Sequence, residues 1–366
     1  ARGATPRRAA INSLGIGGTN CHVVLEEGPT AEVTPARDAE LLCLSAHDPE
    51  ALCRVAASYA HALRDNPTVD LRTFAGAVNR RANLRRHRIG LVVSDLDDAI
   101  HQLDAVVSGR LTGRQARDSV AFLFPGPGSQ ARDMAAALRD DPVFAEALAT
   151  CDRIASPLLG TSLLTALDAP GMDHIAMAQP LVFAISYATH RWLASVGVAP
   201  DVALGHSAGE YAAACAAGIL DVQEALPALI ARGEAMSRTA SGAMAAVFAD
   251  RSTVDSLTAR FNGRVVVAAD NGPRQLVLSG PSDDMAQLTV AMTSAGITTK
   301  PLAISCGAHS PLMAAAMPAL SAALDAVTFH PPTTPFISSR TAELTPSLDA
   351  GALTRQLREP VRFSES

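Results

Sequence analysis

The feature that most constrains this chain is a five-residue run, Gly205-His206-Ser207-Ala208-Gly209, between a short apolar strand (Val202–Leu204) and an alanine-rich helix. G-x-S-x-G at a strand-to-helix junction is a nucleophile elbow. The turn is tight, and the flanking glycines let the backbone pass without a side chain in the way. Ser207 Oγ is then held over a helix start, whose free N–H groups can bind a developing oxyanion. Strand before and helix after imply an α/β architecture; an ordinary tight turn is the blander possibility.

A serine nucleophile needs a base. His309, in Ser305-Cys306-Gly307-Ala308-His309-Ser310-Pro311, stands at the end of a predicted strand among small residues, which suits that role. A hydrogen-bonded loop histidine is the plainer reading. His206 adjoins the serine, but neighbours at an elbow point apart, so it reads as structural. Arg232, taken alone, is a solvated helix charge. Gly15-Ile16-Gly17-Gly18 hints at a phosphate loop, yet a strand (Cys21–Glu26) follows where a dinucleotide fold needs a helix. The basic run Arg80, Arg81, Arg85, Arg86 and Arg88 reads as a solvated face or as a docking patch for an acidic carrier protein.

The 366 residues suffice for two or three domains. With 48% hydrophobic and 18% charged residues they can bury a sizeable core. A net charge of −6 argues against general nucleic-acid binding. Six scattered cysteines, with no C-x-x-C pair and no His/Cys cluster, suit a reducing cytoplasm without a disulfide framework or metal site. No apolar run reaches the ~18 residues of a membrane span, and the N-terminus lacks a signal peptide's apolar region. Without an initiator Met the chain reads as an excised piece of something larger.

Three blocks are legible. Residues 1–38 hold a glycine-rich stretch, a strand and a Pro/Thr/Ala-rich connector (Gly28–Arg37). Residues 39–115 alternate strand 41–45, helices 48–65 and 71–81, strand 88–93 and helix 96–107, a small α/β unit with no chemical motif. Residues 116–366 carry the elbow. Within them, about 243–305 runs β-α-β-β-α-β, with its last strand at Thr298–Ile304, a ferredoxin-like insertion.

Together these motifs resemble the acyltransferase region of modular type I polyketide synthases, kin of malonyl-CoA:acyl-carrier-protein transacylases. Residues 11–27 resemble the end of a ketosynthase domain and 39–115 the linker joining it to the acyltransferase. Phe124-Pro125-Gly126, Gly128-Ser129-Gln130, Ala178-Gln179-Pro180, Gly205–Glu210, Asn271-Gly272-Pro273, His309-Ser310-Pro311 and Arg358–Phe363 fall in the family's order. Arg232 follows the serine by 25 residues and His309 by 102, about where the family has them.

The resemblance implies an α/β-hydrolase-like subdomain with a parallel sheet, carrying the ferredoxin-like insertion. It implies that Ser207 attacks an extender acyl-CoA, His309 takes the proton, and Arg232 holds the malonyl carboxylate through its planar fork. The acyl group then passes to the phosphopantetheine thiol of an acyl carrier protein. The histidine is oriented by backbone carbonyls. No cofactor or metal is bound, and the further implied partner is the ketosynthase of the same polypeptide. Gln179, His206, Cys306, Gly307 and Ala308 fall at pocket positions. The oxyanion hole falls to the backbone of Ala208 and of position 127, with Gly128 beside it.

Two departures matter. Position 127 is proline where the family has glutamine, so one oxyanion N–H is missing, unless Gly128 or Gln130 shifts to replace it. The chain also stops soon after Phe363, where the family continues into a helix and strand. Cys306-Gly307-Ala308-His309 matches neither the malonyl pattern H-A-F-H nor the methylmalonyl pattern Y-A-S-H. Small residues there leave room for an alkylmalonyl unit larger than methyl, unless neighbouring side chains fill the space and plain malonyl is used. A thioesterase-like serine hydrolase, or a degenerate acyltransferase kept as a scaffold, would carry the same elbow.

Overall fold

The computed structural model describes residues 6–18, 20–28, 38–81, 84–115, 119–167, 172–304 and 306–366. The connector from residue 29 to 37, and Ser305, therefore lie outside the described residues. Between residues 117 and 118 the chain divides into two units.

The first unit begins with an antiparallel hairpin, β1 (Arg8–Leu14) and β2 (Asn20–Glu26), whose residues are all exposed. The Gly15–Gly18 run makes its turn, closed by Gly18 N–H on Gly15 O at 3.0 Å. Further on come β3 (Glu40–Ala46), α1 (Pro49–Asp65), α2 (Leu71–Arg81), β4 (His87–Val93), α3 (Leu96–Val107) and β5 (Arg114–Gln115). The strands form an antiparallel sheet in the order β3-β4-β5. Helix starts follow local chemistry: Asp48 accepts from Ala51 N–H, and Asp95 from Asp98 N–H, so each satisfies an orphan donor. Leu42, Leu44, Leu52, Leu63, Leu91 and Leu103 fill a core of this unit's own. Arg80, Arg85, Arg86 and Arg88 are exposed.

The second unit continues with β6 (Ala121–Phe124), α4 (Pro142–Leu159), α5 (Leu163–Ala166), α6 (Ile175–Ser195), β7 (Val202–Gly205), α7 (Gly209–Ala216) and α8 (Val222–Ser237). Then come β8 (Gly242–Val247), α9 (Arg251–Thr258), β9 (Val266–Gly272), β10 (Gln275–Pro281), α10 (Ser282–Ser294) and β11 (Thr299–Pro301). It closes with α11 (Met317–Leu324), β12 (Phe336–Ser338), β13 (Glu343–Leu344) and α12 (Ala350–Gln356). The elbow's sheet has the order β13-β12-β7-β6. It is mixed rather than wholly parallel: β7 pairs in parallel with β6 and with β12, while β13 returns antiparallel along the edge of β12. Helices α4, α6, α7 and α8 pack around it, with Phe144, Leu181, Tyr211, Leu229 and Phe336 fully buried.

Strands β8–β11 form a separate antiparallel sheet in the order β11-β8-β10-β9, the ferredoxin-like arrangement, over a core that includes Val247, Leu278 and Leu288. Its last strand is shorter than the sequence suggests. Pro301 lacks an N–H, and the ladder ends there, though Leu302 N–H still reaches Met244 O at 3.0 Å. A bridge between Ser241 and Cys306 ties the two necks of the insertion. Val361, beyond α12, adds to the edge of β9 through Asp270 N–H on Val361 O and Val361 N–H on Ala268 O. That segment brings α12 and its C-terminal residues against the elbow.

Candidate active site

Ser207 stands between β7 and α7 with φ 54°, a left-handed conformation that costs a non-glycine residue ~1–2 kcal/mol. The surroundings enforce it. A Cβ on Gly205 would lie 2.2 Å from Glu210 N, and one on Gly209 would lie 2.2 Å from Phe124 O. Gln356, the last residue of α12, donates from Nε2 to Ser207 O at 2.8 Å and pins the strained turn. Beneath the helix start, the fully buried Glu210 carboxyl accepts from Ser339 N–H at 2.5 Å and from the hydroxyls of Ser339 and Ser338 at 2.8 and 3.2 Å. Burial pushes its pKa upward.

His309 Nδ1–H donates to Glu359 O at 2.8 Å. A carbonyl only accepts, so Nδ1 carries the hydrogen and Nε2 is left as an acceptor. Ser207 Oγ–H meets it at 2.7 Å. Burial, reinforced by the charge of Arg232, pushes the imidazole down to about 3, so it is neutral at neutral pH. No carboxylate side chain orients it, which departs from the Ser-Asp-His pattern of many hydrolases.

Arg232 is no solvated charge: only 1% of it is exposed. Its Nη2 donates to Ser207 Oγ at 3.3 Å and its Nη1 to Gln179 Oε1. Gln179 is itself tethered through Nε2 to Ile175 O at 3.3 Å.

On the oxyanion side, Ala208 N–H meets no protein acceptor among the described residues. Pro127 has no N–H to add. Gly128 N–H is taken by Gln130 Oε1 at 2.7 Å, and Gln130 Nε2 is held by Asp173 Oδ1 at 2.7 Å. Pro127 and Gly128 line a cavity of about 580 Å³ with His206, Asn271 and Phe363. His206 Nε2 bonds Asn271 Oδ1 at 2.8 Å, which ties the elbow to the ferredoxin-like subdomain. Cys306 and Ala308 are buried in the main core together with Met236, Met244 and Met313. A Cβ on Gly307 would lie 2.6 Å from Leu312 Cδ1, so a side chain there would have to displace the Leu312 methyl.

The structure thus brings Ser207, His309, Arg232 and Gln179 into one hydrogen-bonded chain. Sequence reasoning missed Gln356 and Glu210. Glu210 resembles any acidic residue in a helix's first turn, and Gln356 lies 149 residues from the serine it holds. Among the described residues, no group of three or more His, Cys, Asp or Glu is placed to hold a metal ion, and no helix is long and apolar enough to cross a membrane.

Comparison with known proteins identifies the family. Residues 121–366 match the family model described as "Acyl transferase domain", and residues 2–88 match "Ketoacyl-synthetase C-terminal extension". Erythronolide synthase EryA2 of Saccharopolyspora erythraea is 33% identical over 387 residues, covering 100% of this chain but 11% of that protein. The chain therefore spans a small part of that relative. Among solved structures, the acyltransferase domain from module 8 of the salinomycin polyketide synthase superposes with a TM-score of 0.82 at 29% identity, covering 90% of this chain and 81% of that one. The acyl transferase domain of SpnD in complex with 2-(pent-4-yn-1-yl)malonyl gives the same TM-score and identity, covering 91% and 81%. The match over residues 121–366, with a relative 33% identical along the whole chain, places this chain in the acyl transferase domain family, and it is an acyltransferase.

Proposed function

We propose that the chain takes a malonyl-type unit from its CoA thioester onto Ser207 and passes it to the phosphopantetheine thiol of an acyl carrier protein in polyketide synthesis. The carrying observation is the Ser207 Oγ–His309 Nε2 bond of 2.7 Å with the Arg232 guanidinium 3.3 Å from the same oxygen. Ser207 Oγ attacks the thioester carbonyl as His309 Nε2 takes its proton, and the departing thiolate recovers that proton. The carrier thiol then reverses the sequence, giving ping-pong kinetics. Arg232 supplies two charge-assisted hydrogen bonds for the free carboxylate. Ala208 N–H is the oxyanion donor.

The extender we assign is an alkylmalonyl unit larger than methylmalonyl. Its support is the sequence, in which Cys306, Gly307 and Ala308 are all small, and the likeness to a domain solved with a pentynylmalonyl group; the core packing of Cys306 and Ala308 favours plain malonyl as the second reading. The exposed β1–β2 hairpin, within the segment matching a ketoacyl-synthetase extension, is assigned to a ketosynthase partner.

Intact-protein mass spectrometry after incubation with mixed malonyl-, methylmalonyl- and butylmalonyl-CoA tests this reading. The expected adduct is alkylmalonyl on wild type and none on Ser207→Ala. Undiminished labelling of Ser207→Ala removes the nucleophile, and near-exclusive malonyl loading removes the extender assignment.

A further inference from the structure

Arg232 is a buried cation that, among the described residues, forms no ion pair with a carboxylate. Its Nη1 is used by Gln179 and its Nη2 by Ser207 Oγ, while its buried Nε has no acceptor. Burial pushes the neighbouring Tyr211, Cys306 and Glu210 upward, and none of them forms a hydrogen bond or ion pair with the guanidinium. A charge held this way is costly unless a partner arrives.

The same cation bears on both members of the nucleophile–base pair. A hydroxyl has two lone pairs, and one on Ser207 Oγ is engaged by Nη2, which draws electron density from the nucleophile. His309 faces Ser207 and His206 at the elbow, Arg232 on α8, Gln356 at the end of α12 and Glu359 beyond it. Of these, Arg232 carries the charge that opposes a proton on Nε2.

We propose that the substrate's carboxylate is the counter-ion this site lacks, and that pairing with it draws the Arg232 guanidinium off Ser207 Oγ, so the carboxylate switches the nucleophile on as well as anchoring the substrate. This rests on the malonyl-type reading above. Gln179, by holding Nη1, leaves Nη2 as the group that changes partner. Once freed, Oγ forms its bond to the thioester carbon, its proton passes to His309 Nε2, the C–S bond breaks, and the thiolate takes the proton. Selection against acyl groups lacking the carboxylate then acts on the chemical step as well as on binding.

The test divides the substrate in two. Acetyl-N-acetylcysteamine thioester supplies an acyl group without a carboxylate, and formate supplies the carboxylate. Ser207 acetylation is followed by intact mass at constant ionic strength, with chloride replacing formate in the control. In wild type, formate is expected to accelerate acetylation saturably by about tenfold or more, the scale of a charge-assisted hydrogen bond. In Arg232→Ala it is expected to do nothing. An unchanged or slower wild-type rate in formate overturns the switch, and that arm needs no variant to fold. Malonyl-CoA loading on the same preparation separates the two claims: its absence defeats the malonyl-type reading, whereas malonyl loading with silent formate defeats the switch alone.

Discussion

His309 is a base that stays unprotonated. Its folded-state value of about 3, set first by burial and then by Arg232, lies well below the ordinary histidine value of 6.5. The profile of kcat/KM reports the free enzyme. Acylation by the preferred extender-CoA is therefore expected to be flat from about pH 5 to about 8, without the acid limb near 6.5 of an exposed histidine. A limb there would show that the imidazole is not held as the structure has it. Stability carries the same signature. Because the folded value is depressed, the contribution is fully present above about 6.5 and is lost as pH falls toward 3, where the unfolded chain binds the extra proton. Urea midpoints for wild type and His309→Gln are thus expected to shift against wild type as the buffer is taken from neutral to acid. Pro127 bears on the proposed oxyanion hole. With no N–H of its own and Gly128 N–H committed to Gln130, the proposed hole is left, among the described residues, with Ala208 N–H. One such donor is worth ~10²–10³ in rate. Pro127→Gln is expected to raise the single-turnover acylation rate by about tenfold or more, and a level or lower rate would mean that the Gln130 clamp opens to release Gly128.

Between β7 and α7 the constraint is steric. A Cβ on Gly205 meets Glu210 N at 2.2 Å, Gly209 C at 2.3 Å and Glu210 Cα at 2.4 Å, all backbone that cannot swing aside. Gly205→Ala is expected to cost about 3 kcal/mol. Gly296→Ala has open space around it and faces only the penalty of φ +72°, ~1–2 kcal/mol. Equal losses in urea unfolding would show that backbone crowding does not hold the elbow. This crowding explains why the first half of the elbow was legible in the sequence: Gly205 is required by contacts within a few residues, whereas Gly209 is required by Phe124 and Pro125, which are distant in the chain. The helix starts near residues 48 and 96 were legible because their caps are local, Asp48 and Asp95 each accepting an N–H from their own first turn; the helices that Asp141 and Asp349 cap in the same way went unread. The ferredoxin-like order emerged from alternation along one stretch of chain. What escaped were bonds closed across long separations. Gln356 on Ser207 O, and Glu359 O under His309, depend on Val361 joining the edge of β9, which no local pattern encodes. The edge strand β13, two residues long, is too short to leave a period.

At the scale of the molecule, chemistry and bulk divide unevenly. Ser207, His309, Arg232, Gln179, Gln356 and Glu359 all lie within residues 118–366, and so do both cores that support them. The elbow's strain, the histidine's carbonyl anchor and the arginine's glutamine tether are each closed by hydrogen bonds inside this unit. The first unit has a core of its own, and among the described residues it contributes no side chain to that hydrogen-bonded chain. A unit with its own core, whose site is held by its own hydrogen bonds, satisfies the conditions for independent folding. Residues 118–366 expressed alone are therefore expected to unfold in a single cooperative transition and to load an extender unit onto Ser207 at the rate of the 366-residue chain. Mass-spectrometric loading time courses on the two proteins make the comparison. A folded but inactive 118–366 piece would mean that the first unit supplies something to the reaction, and an unfolded one that the two cores are energetically a single body.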